Sequence, residues 1–152
     1  MTRTFRFRPR YRGVAWTGVG VGTVLAATSL VALGAALMPL VTGGFCIASG
    51  FGYLMSPAWK LEVVIDDAGL EVRTHKAQKF RVAWADIVKV VHSPTTNTCF
   101  VDGGAPERSL LVPGDGAPAP YDIADKRELC EAIVAHVDAA KVHTVTTLAE
   151  SR

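Results

Sequence analysis

The chain has 152 residues, of which 49% are hydrophobic and 20% are charged, and its formal net charge is +2. This small value hides an asymmetry: residues 1–12 hold five arginines and no acid, whereas residues 60–152 hold eleven Lys and Arg against fourteen Asp and Glu. A body with net negative charge disfavours nucleic-acid binding, which usually requires a basic surface.

Residues 14–59 form an uninterrupted run of 46 residues without a charged side chain or a histidine. A single helix of this length would extend about 69 Å, whereas a bilayer core about 30 Å thick needs only about 20 residues. The run therefore predicts two membrane passes, at about residues 14–37 and 40–57. About 90 residues remain after this segment, which is enough for one small domain.

Pro39 favours a break between the passes at residues 37–39, because proline lacks a helical donor but is accepted at a helix start. Gly43 and Gly44 leave open a turn that extends further. Either connection is too short to carry a domain. Both ends of this transmembrane hairpin, residues 13–59, should therefore lie on one side of the membrane.

A basic start followed by an apolar run is also typical of a secretory signal peptide. Such a segment has an apolar core of only about 7–15 residues and ends at a small-residue cleavage site. Here the apolar run is longer, and a second one follows directly. We therefore favour an uncleaved anchor, with cleavage as the alternative.

Every positive charge of the basic tail, residues 1–12, is an arginine: Arg3, Arg6, Arg8, Arg10 and Arg12. Positive charge beside a first helix keeps that flank in the cytoplasm, so we expect both termini to be cytoplasmic and the protein to lie in the inner membrane. Tyr11, Trp16 and Trp59 fall at the same ends, where amphipathic rings prefer the headgroup layer. The arginines can also attract anionic membrane lipid.

Small residues recur every four positions in both passes: Gly18, Gly22 and Ala26 in the first, and Gly44, Ala48 and Gly52 in the second. In lipid, helices associate through close backbone approach, which such small-residue faces allow. We favour packing of the two passes against each other. Association with another membrane protein or with a second copy is the alternative.

Six segments of the remaining chain predict strands: residues 61–65, 70–75, 79–84, 86–92, 98–101 and 108–112. The first two are separated by a turn cluster at residues 66–69 and form a predicted β-hairpin. The third alternates, and should bury Phe80, Val82 and Trp84 on one face. The Gly- and Pro-rich residues 113–120 cannot continue a strand and form a loop.

The period then changes to that of a helix. Asp125 and Glu128 have the spacing of a capping box, and an apolar face follows at Leu129, Ile133, Val137 and Ala140. An amphipathic helix of about 15 residues should therefore close the domain, residues 60–140. Residues 141–152 have weaker patterning and should be loosely held.

These elements predict an α+β protein with a membrane anchor: a transmembrane hairpin, then a curled antiparallel sheet or barrel of about six or seven strands. The terminal helix plugs its open end, because a small open sheet would otherwise expose an apolar face and its edges.

The hairpin around residues 63–72 and the run at residues 82–90, with Trp84 followed by Asp86 and Ile87, resemble the bacterial pleckstrin-homology-like families. The resemblance covers about residues 61–140, and the preceding hairpin is similar to that of membrane-anchored members. It implies a pleckstrin-homology-like barrel with a terminal helix. It does not by itself imply recognition of lipid headgroups, because one fold hosts many functions.

Chemistry-bearing residues do not form a recognisable catalytic or metal-binding pattern in the sequence. The three cysteines, Cys46, Cys99 and Cys130, contain no C-x-x-C pair, and the four histidines lack metal-ligand spacing. The glycines between residues 18 and 22 lie inside a membrane pass and indicate packing. We therefore expect a non-enzymatic protein without a metal or cofactor.

The most suggestive polar feature is a basic cluster around one predicted turn: Arg73, His75, Lys76, Lys79 and Arg81. These residues could face anionic phospholipid or the acidic surface of a protein partner. The alternative is that they form an ordinary solvated hairpin tip.

Three functions remain open on the sequence alone. The first is a membrane-anchored module that mediates protein association, with a partner protein or as a homo-oligomer. The second is a sensor of anionic phospholipid that acts through the basic cluster. The third is an auxiliary subunit of a transporter or enzyme complex.

Overall fold

The computed structural model describes residues 2–31 and 37–146, which form two compact units. One unit, the β unit, contains residues 2–8 and 58–146. The other, the helical hairpin, lies within Pro9–Pro57. The chain thus leaves the β unit after its first strand and returns to it after the apolar helices.

The described residues contain nine strands and three α-helices. The strands are β1 (Arg3–Pro9), β2 (Leu61–Ile65), β3 (Gly69–Thr74), β4 (Gln78–Ala83), β5 (Lys89–Ser93), β6 (Thr98–Asp102), β7 (Leu110–Val112), β8 (Tyr121–Ile123) and β9 (Val142–Thr144). The helices are α1 (Arg12–Val31), α2 (Leu37–Leu54) and α3 (Lys126–His136). Short 3-10 turns lie at Pro57–Lys60, Trp84–Asp86, Pro106–Arg108 and Ala139–Lys141.

The strands form two sheets rather than one closed barrel. The five-stranded sheet has the order β4-β3-β2-β1-β8, and the four-stranded sheet has the order β7-β6-β5-β9. Strands β1 to β4 pair antiparallel, as do β5 to β7, whereas β9 runs parallel to β5. The predicted α+β class and terminal helix are confirmed, but the sheet is not closed.

Strand β1 lies where the sequence analysis placed only a basic tail. Its Phe5 and Phe7 are buried in the core, while the intervening Arg6 points outward. The strand pairs with β2, so that Arg3 is opposite Ile65 and Arg6 is opposite Glu62. Because β8 lies on its other side, β1 is an interior strand of the sheet.

The core of the β unit lies on the inner faces of both sheets and on one face of α3. Leu129, Ile133 and Val137 belong to this core, as predicted, whereas Ala140 is exposed. Cys130 joins the same helix face. The terminal helix therefore covers apolar sheet surface, as the amphipathic pattern indicated.

Phe80 and Trp84 pack against the core, as predicted, but both are only partly buried. Val82 is fully buried, but the chain then enters a 3-10 turn and the strand period ends. The indole Nε1 of Trp84 donates to the carbonyl of Asp66 at 2.9 Å, and its ring stacks on His136 with centroids 4.9 Å apart. The same turn delays the next strand to Lys89.

The predicted capping box of α3 is absent. Asp125 adopts a left-handed conformation with φ of 52°, and its side chain makes no capping bond. Glu128 instead accepts a hydrogen bond from Arg3 of β1 at 2.7 Å. Glu128 thus pairs with a distant strand instead of capping the N-terminus of α3.

Both helices of the hairpin are long and apolar enough to span a membrane. The second begins at Leu37, so Pro39 lies in its first turn, where a missing donor is tolerated. Residues 32–36, where part of the first predicted pass falls, lie outside the described residues. At the other terminus β9 occupies part of the predicted loose segment, and residues 147–152 lie outside the described range.

Candidate functional site

The basic cluster lies on the hairpin formed by β3 and β4. All five of its residues, Arg73, His75, Lys76, Lys79 and Arg81, are exposed. The turn between the strands is fixed by Thr74, whose backbone N–H donates to the carbonyl of Ala77 at 2.8 Å and whose hydroxyl oxygen accepts from the Ala77 N–H at 3.0 Å. The structure thus brings the predicted cluster together on one hairpin.

Two members of the cluster are already paired with acids of the same sheet. Arg81 Nη2 is 2.9 Å from Asp66 Oδ2, and its Nη1 is 3.8 Å from Glu71 Oε2. Arg73 Nη1 is 4.0 Å from Glu71 Oε1. These two arginines therefore belong to a row of ion pairs on the outer face of the sheet. Together with their acidic partners they contribute little net positive charge.

Asp66 has its own local support. Its Oδ1 accepts hydrogen bonds from the N–H groups of Ala68 and Gly69, at 2.9 and 2.8 Å. These backbone bonds, followed by the charge of Arg81, hold the pKa of the Asp66 carboxyl below its ordinary value. The side chain therefore stays ionised and fixes both the β2–β3 turn and Arg81.

The two lysines of the cluster have no acidic partner among the described residues. Lys76 and Lys79 are exposed, and neither makes an ion pair with any residue in the described part of the chain. His75 is exposed beside them. The free positive charge of the cluster is therefore confined to the tip, residues 75–79.

The arginines of the N-terminal segment are engaged in a way that the sequence analysis did not anticipate. Arg3 pairs with Glu128, Arg6 with Glu62, and Arg8 with Asp122, at 2.7, 3.1 and 3.3 Å. All three arginine side chains are at least half exposed. Surface pairs of this kind contribute about 0–1 kcal/mol each, so they orient β1 more than they stabilise it.

The contact between α1 and α2 depends on glycine. A Cβ placed at Gly43 would lie 2.6 Å from the Gly22 carbonyl and 2.9 Å from the Ala26 nitrogen. A Cβ at Gly50 would lie 2.8 Å from the carbonyl of Ala15. The predicted Gly22 and Ala26 therefore form this contact, and Gly18 lies at its edge, where an added Cβ would be 4.0 Å from the Cys46 carbonyl.

The predicted face of the second helix is not the one that packs. Gly44 and Gly52 have open space around them, and Ala48 is exposed. Gly43 and Gly50 take their place, with the seven-residue spacing of an antiparallel helix pair. The seven-residue spacing of Gly43 and Gly50 is present in the sequence beside the four-residue spacing of Gly44, Ala48 and Gly52.

Aromatic residues gather where α1 begins and α2 ends. The backbone N–H of Tyr11 donates to the hydroxyl of Tyr53 at 2.9 Å. Trp16 and Phe51 meet edge to face, with ring centroids 6.2 Å apart. Amphipathic rings at one end of an apolar hairpin are the arrangement that membrane interfaces favour.

A shallow apolar groove lies on the outer surface of the four-stranded sheet. Its volume is about 510 Å³, and it is lined by Phe100, Asp102, Gly104, Ala105, Pro106, Ser109 and Leu111. Phe100 and Leu111 face each other on β6 and β7, and Leu111 is 39% exposed. Val88, 57% exposed, lies beside Gly104. The groove thus exposes apolar side chains on the outer face of this sheet.

Local surroundings shift the pKa of Cys99 and His92 in the β unit. Within residues 2–31 and 37–146 there is no group of three His, Cys, Asp or Glu that could hold a metal. A hydrogen bond to Cys130 and burial raise the pKa of the Cys99 thiol, which makes it a poor nucleophile. Burial lowers the pKa of His92, and Glu131 opposes that shift.

Comparison with protein-family models, with curated proteins and with solved structures finds no match to this chain. The class is therefore defined by the fold and its surfaces alone. The chain is an α+β protein in which two helices, each long and apolar enough to span a membrane, are inserted between adjacent strands of one sheet.

Proposed function

We propose that this protein is a non-enzymatic, membrane-anchored module that mediates protein association at the bacterial inner membrane. The observation that carries the proposal is the insertion of two apolar helices between β1 and β2, which are neighbours in one sheet. A pair of helices bracketed in this way would attach the sheet to a bilayer through two chain connections, one from β1 and one to β2. The pleckstrin-homology-like character of the β unit remains part of the proposal.

The pairing of β1 with β2 supports a hairpin topology. Two strands can pair only if both are on one side of the membrane, so the two intervening helices must cross it an even number of times. The arginines around α1, among them Arg10 and Arg12, favour the cytoplasm for that side. We therefore propose that both termini are cytoplasmic.

Reporter fusions test this topology in the intact chain. One reporter is active only in the cytoplasm and the other only outside it, and each is fused before Met1 or after Arg152. We expect cytoplasmic activity at both positions. A fusion after Arg152 that is active outside would contradict the hairpin, the localisation and the pairing of β1 with β2.

The apolar groove supports association as the function of the β unit. Leu111 and Val88 expose apolar surface that the core does not need, and a single partner contact would cover both. Leu111→Asp should weaken association more than Glu107→Lys, a charge change in the neighbouring 3-10 turn. Cross-linking in native membranes followed by co-purification measures this, and equal losses in both variants would contradict the role of the groove.

A second surface is available to the hairpin. Gly44, Ala48 and Gly52 do not contact α1, so association of this face with another helix remains a prediction. The partner would be a second copy or a subunit of a transporter or enzyme complex. Recovery of one stoichiometric partner with the full chain from native membrane would distinguish the auxiliary subunit from a self-associating module.

A further inference from the structure

We propose that the tip of the β3–β4 hairpin docks on the anionic lipid surface of the membrane that holds α1 and α2, with Lys76 and Lys79 as the contacting charges. This inference rests on the membrane anchoring proposed above. Of the five residues in the basic cluster, the proposal assigns the lipid contact to Lys76 and Lys79, which make no ion pair within the described residues.

Strand register places the tip at one particular end of the five-stranded sheet. Thr74, the last residue of β3, lies opposite Leu61, the first residue of β2. Pro9 ends β1 at the same end, because β1 and β2 are antiparallel and Arg6 lies opposite Glu62. The tip therefore lies at the end of the sheet where the chain leaves for the helices and returns from them.

The covalent connections at this end are short. Only Arg10 and Tyr11 separate β1 from α1, and residues 55–60 separate α2 from β2. Helices that span a bilayer therefore hold this end of the sheet within a few residues of the headgroup layer. The chain connections alone therefore keep a basic loop at this end within reach of lipid headgroups.

Charge is distributed unequally between the two ends of the sheet. At the end with the tip, Lys76 and Lys79 are unpaired within the described residues, whereas Glu62 is held by Arg6. At the opposite end, the β2–β3 turn carries Asp66 and Asp67, and Arg3 meets Glu128 there. Because Asp66 is paired with Arg81 at that opposite end, an anionic surface would attract the end with the tip more strongly.

The tip is also preorganised for such a contact. The paired hydrogen bonds between Thr74 and Ala77 fix the turn, so Lys76 is presented from a defined loop. Arg73 and Arg81 are held by Glu71 and Asp66 on the sheet face. The contact therefore depends on the two lysines rather than on the arginines that dominate the sequence cluster.

The test uses the full chain with Cys46→Ala, reconstituted into vesicles. A fluorophore on Ala77→Cys reports on the tip, and the same fluorophore on Ala68→Cys reports on the turn at the opposite end. Both alanines are exposed, whereas Cys99 and Cys130 are fully buried and remain unlabelled in the folded protein. A quencher attached to lipid headgroups measures the distance of each label from the surface.

In vesicles of phosphatidylcholine mixed with phosphatidylglycerol, we expect the label at Ala77→Cys to be quenched and the label at Ala68→Cys to stay bright. Lys76→Gln with Lys79→Gln should lower the ratio of docked to undocked tips about 30-fold. The control, Glu71→Gln with Arg73→Gln, removes a paired acid and base together, leaves the net charge unchanged, and should leave this ratio within about threefold. Added salt should release the tip.

Equal quenching of the label at Ala77→Cys in phosphatidylcholine alone would overturn the proposal, as would equal losses in the two double variants. Flotation of the same vesicles measures membrane anchoring independently. A chain that floats with a bright tip label refutes the docking and leaves the anchor intact. A chain that does not float refutes the proposed function itself.

Discussion

Arg6 and Glu62 lie opposite each other on adjacent strands, with Arg6 Nε donating to Glu62 Oε1 at 3.1 Å, although 56 positions and both apolar helices separate them in the chain. The pair shows that the β unit is built from both sides of the hairpin. Its sheet needs β1, and β1 is connected to the remaining strands only through the helices.

Removal of the Phe5 side chain should destabilise the β unit strongly. Phe5 is 5% exposed and belongs to the core, so Phe5→Ala should cost about 3–5 kcal/mol in the free energy of unfolding. Arg6→Ala on the same strand removes an exposed ion pair and should cost less than about 1 kcal/mol. Denaturant unfolding of the detergent-solubilised full chain measures both values, and similar costs would show that β1 is only loosely attached.

A short engineered turn between β1 and β2 should be able to take the place of the helical hairpin. Because these strands are antiparallel neighbours, a turn of about two to five residues can join residue 9 to residue 58. We expect residues 2–9, this turn and residues 58–146 to form a folded, water-soluble domain. The fragment 58–146 alone exposes the edges of β2 and β8 and should aggregate or remain unfolded. Size-exclusion chromatography and amide NMR dispersion compare the two fragments.

Adjacent glycines of α2 should respond in opposite ways to one added methyl group. Gly43→Ala places a Cβ 2.6 Å from the Gly22 carbonyl and should separate the helices, whereas Gly44→Ala has open space and should keep them paired. Intrinsic helix propensity changes by the same amount, about 1 kcal/mol, in both variants. Disulfide trapping between cysteines introduced across the contact measures the pairing. Equal trapping in both variants would contradict the assigned packing face.

Asp66 should make the stability of the β unit depend on acidity. Its pKa is lowered in the folded state, first by the N–H groups of Ala68 and Gly69 and then by Arg81. The stabilisation is therefore complete above the unfolded pKa of about 3.9 and is lost as the pH falls through the lower folded value. Asp66→Asn should flatten the dependence of unfolding free energy on pH below about pH 5, relative to Asp67→Asn.

Local patterns in the sequence predicted the elements that local interactions form. The turn at residues 66–69 follows from its Asp and Gly content, and the core face of α3 follows from the spacing of Leu129, Ile133 and Val137. The loop at residues 113–120 follows from its prolines and glycines. In each case the relevant neighbours are within a few residues, so composition and period are sufficient.

Features that depend on distant pairing were not predicted. The arginines of residues 1–12 indicate membrane topology in the sequence, whereas the strand that pairs with β1 lies beyond both helices. The basic cluster was counted without Asp66 and Glu71, because only the strand register shows that these acids face Arg73 and Arg81. Trp84 packs against the core but is only partly buried, because a 3-10 turn ends the strand one residue earlier.

The interior position of β1 also determines the order in which this protein can be assembled during synthesis. Strand β1 leaves the ribosome before either helix, but its two neighbours, β2 and β8, follow only after both helices have been made. At about 5–20 residues per second, β1 waits on the order of 10 s for β8. Completion of the sheet is therefore a late, long-range step, and the membrane topology proposed above leaves both flanks of the helices on the side where that step occurs.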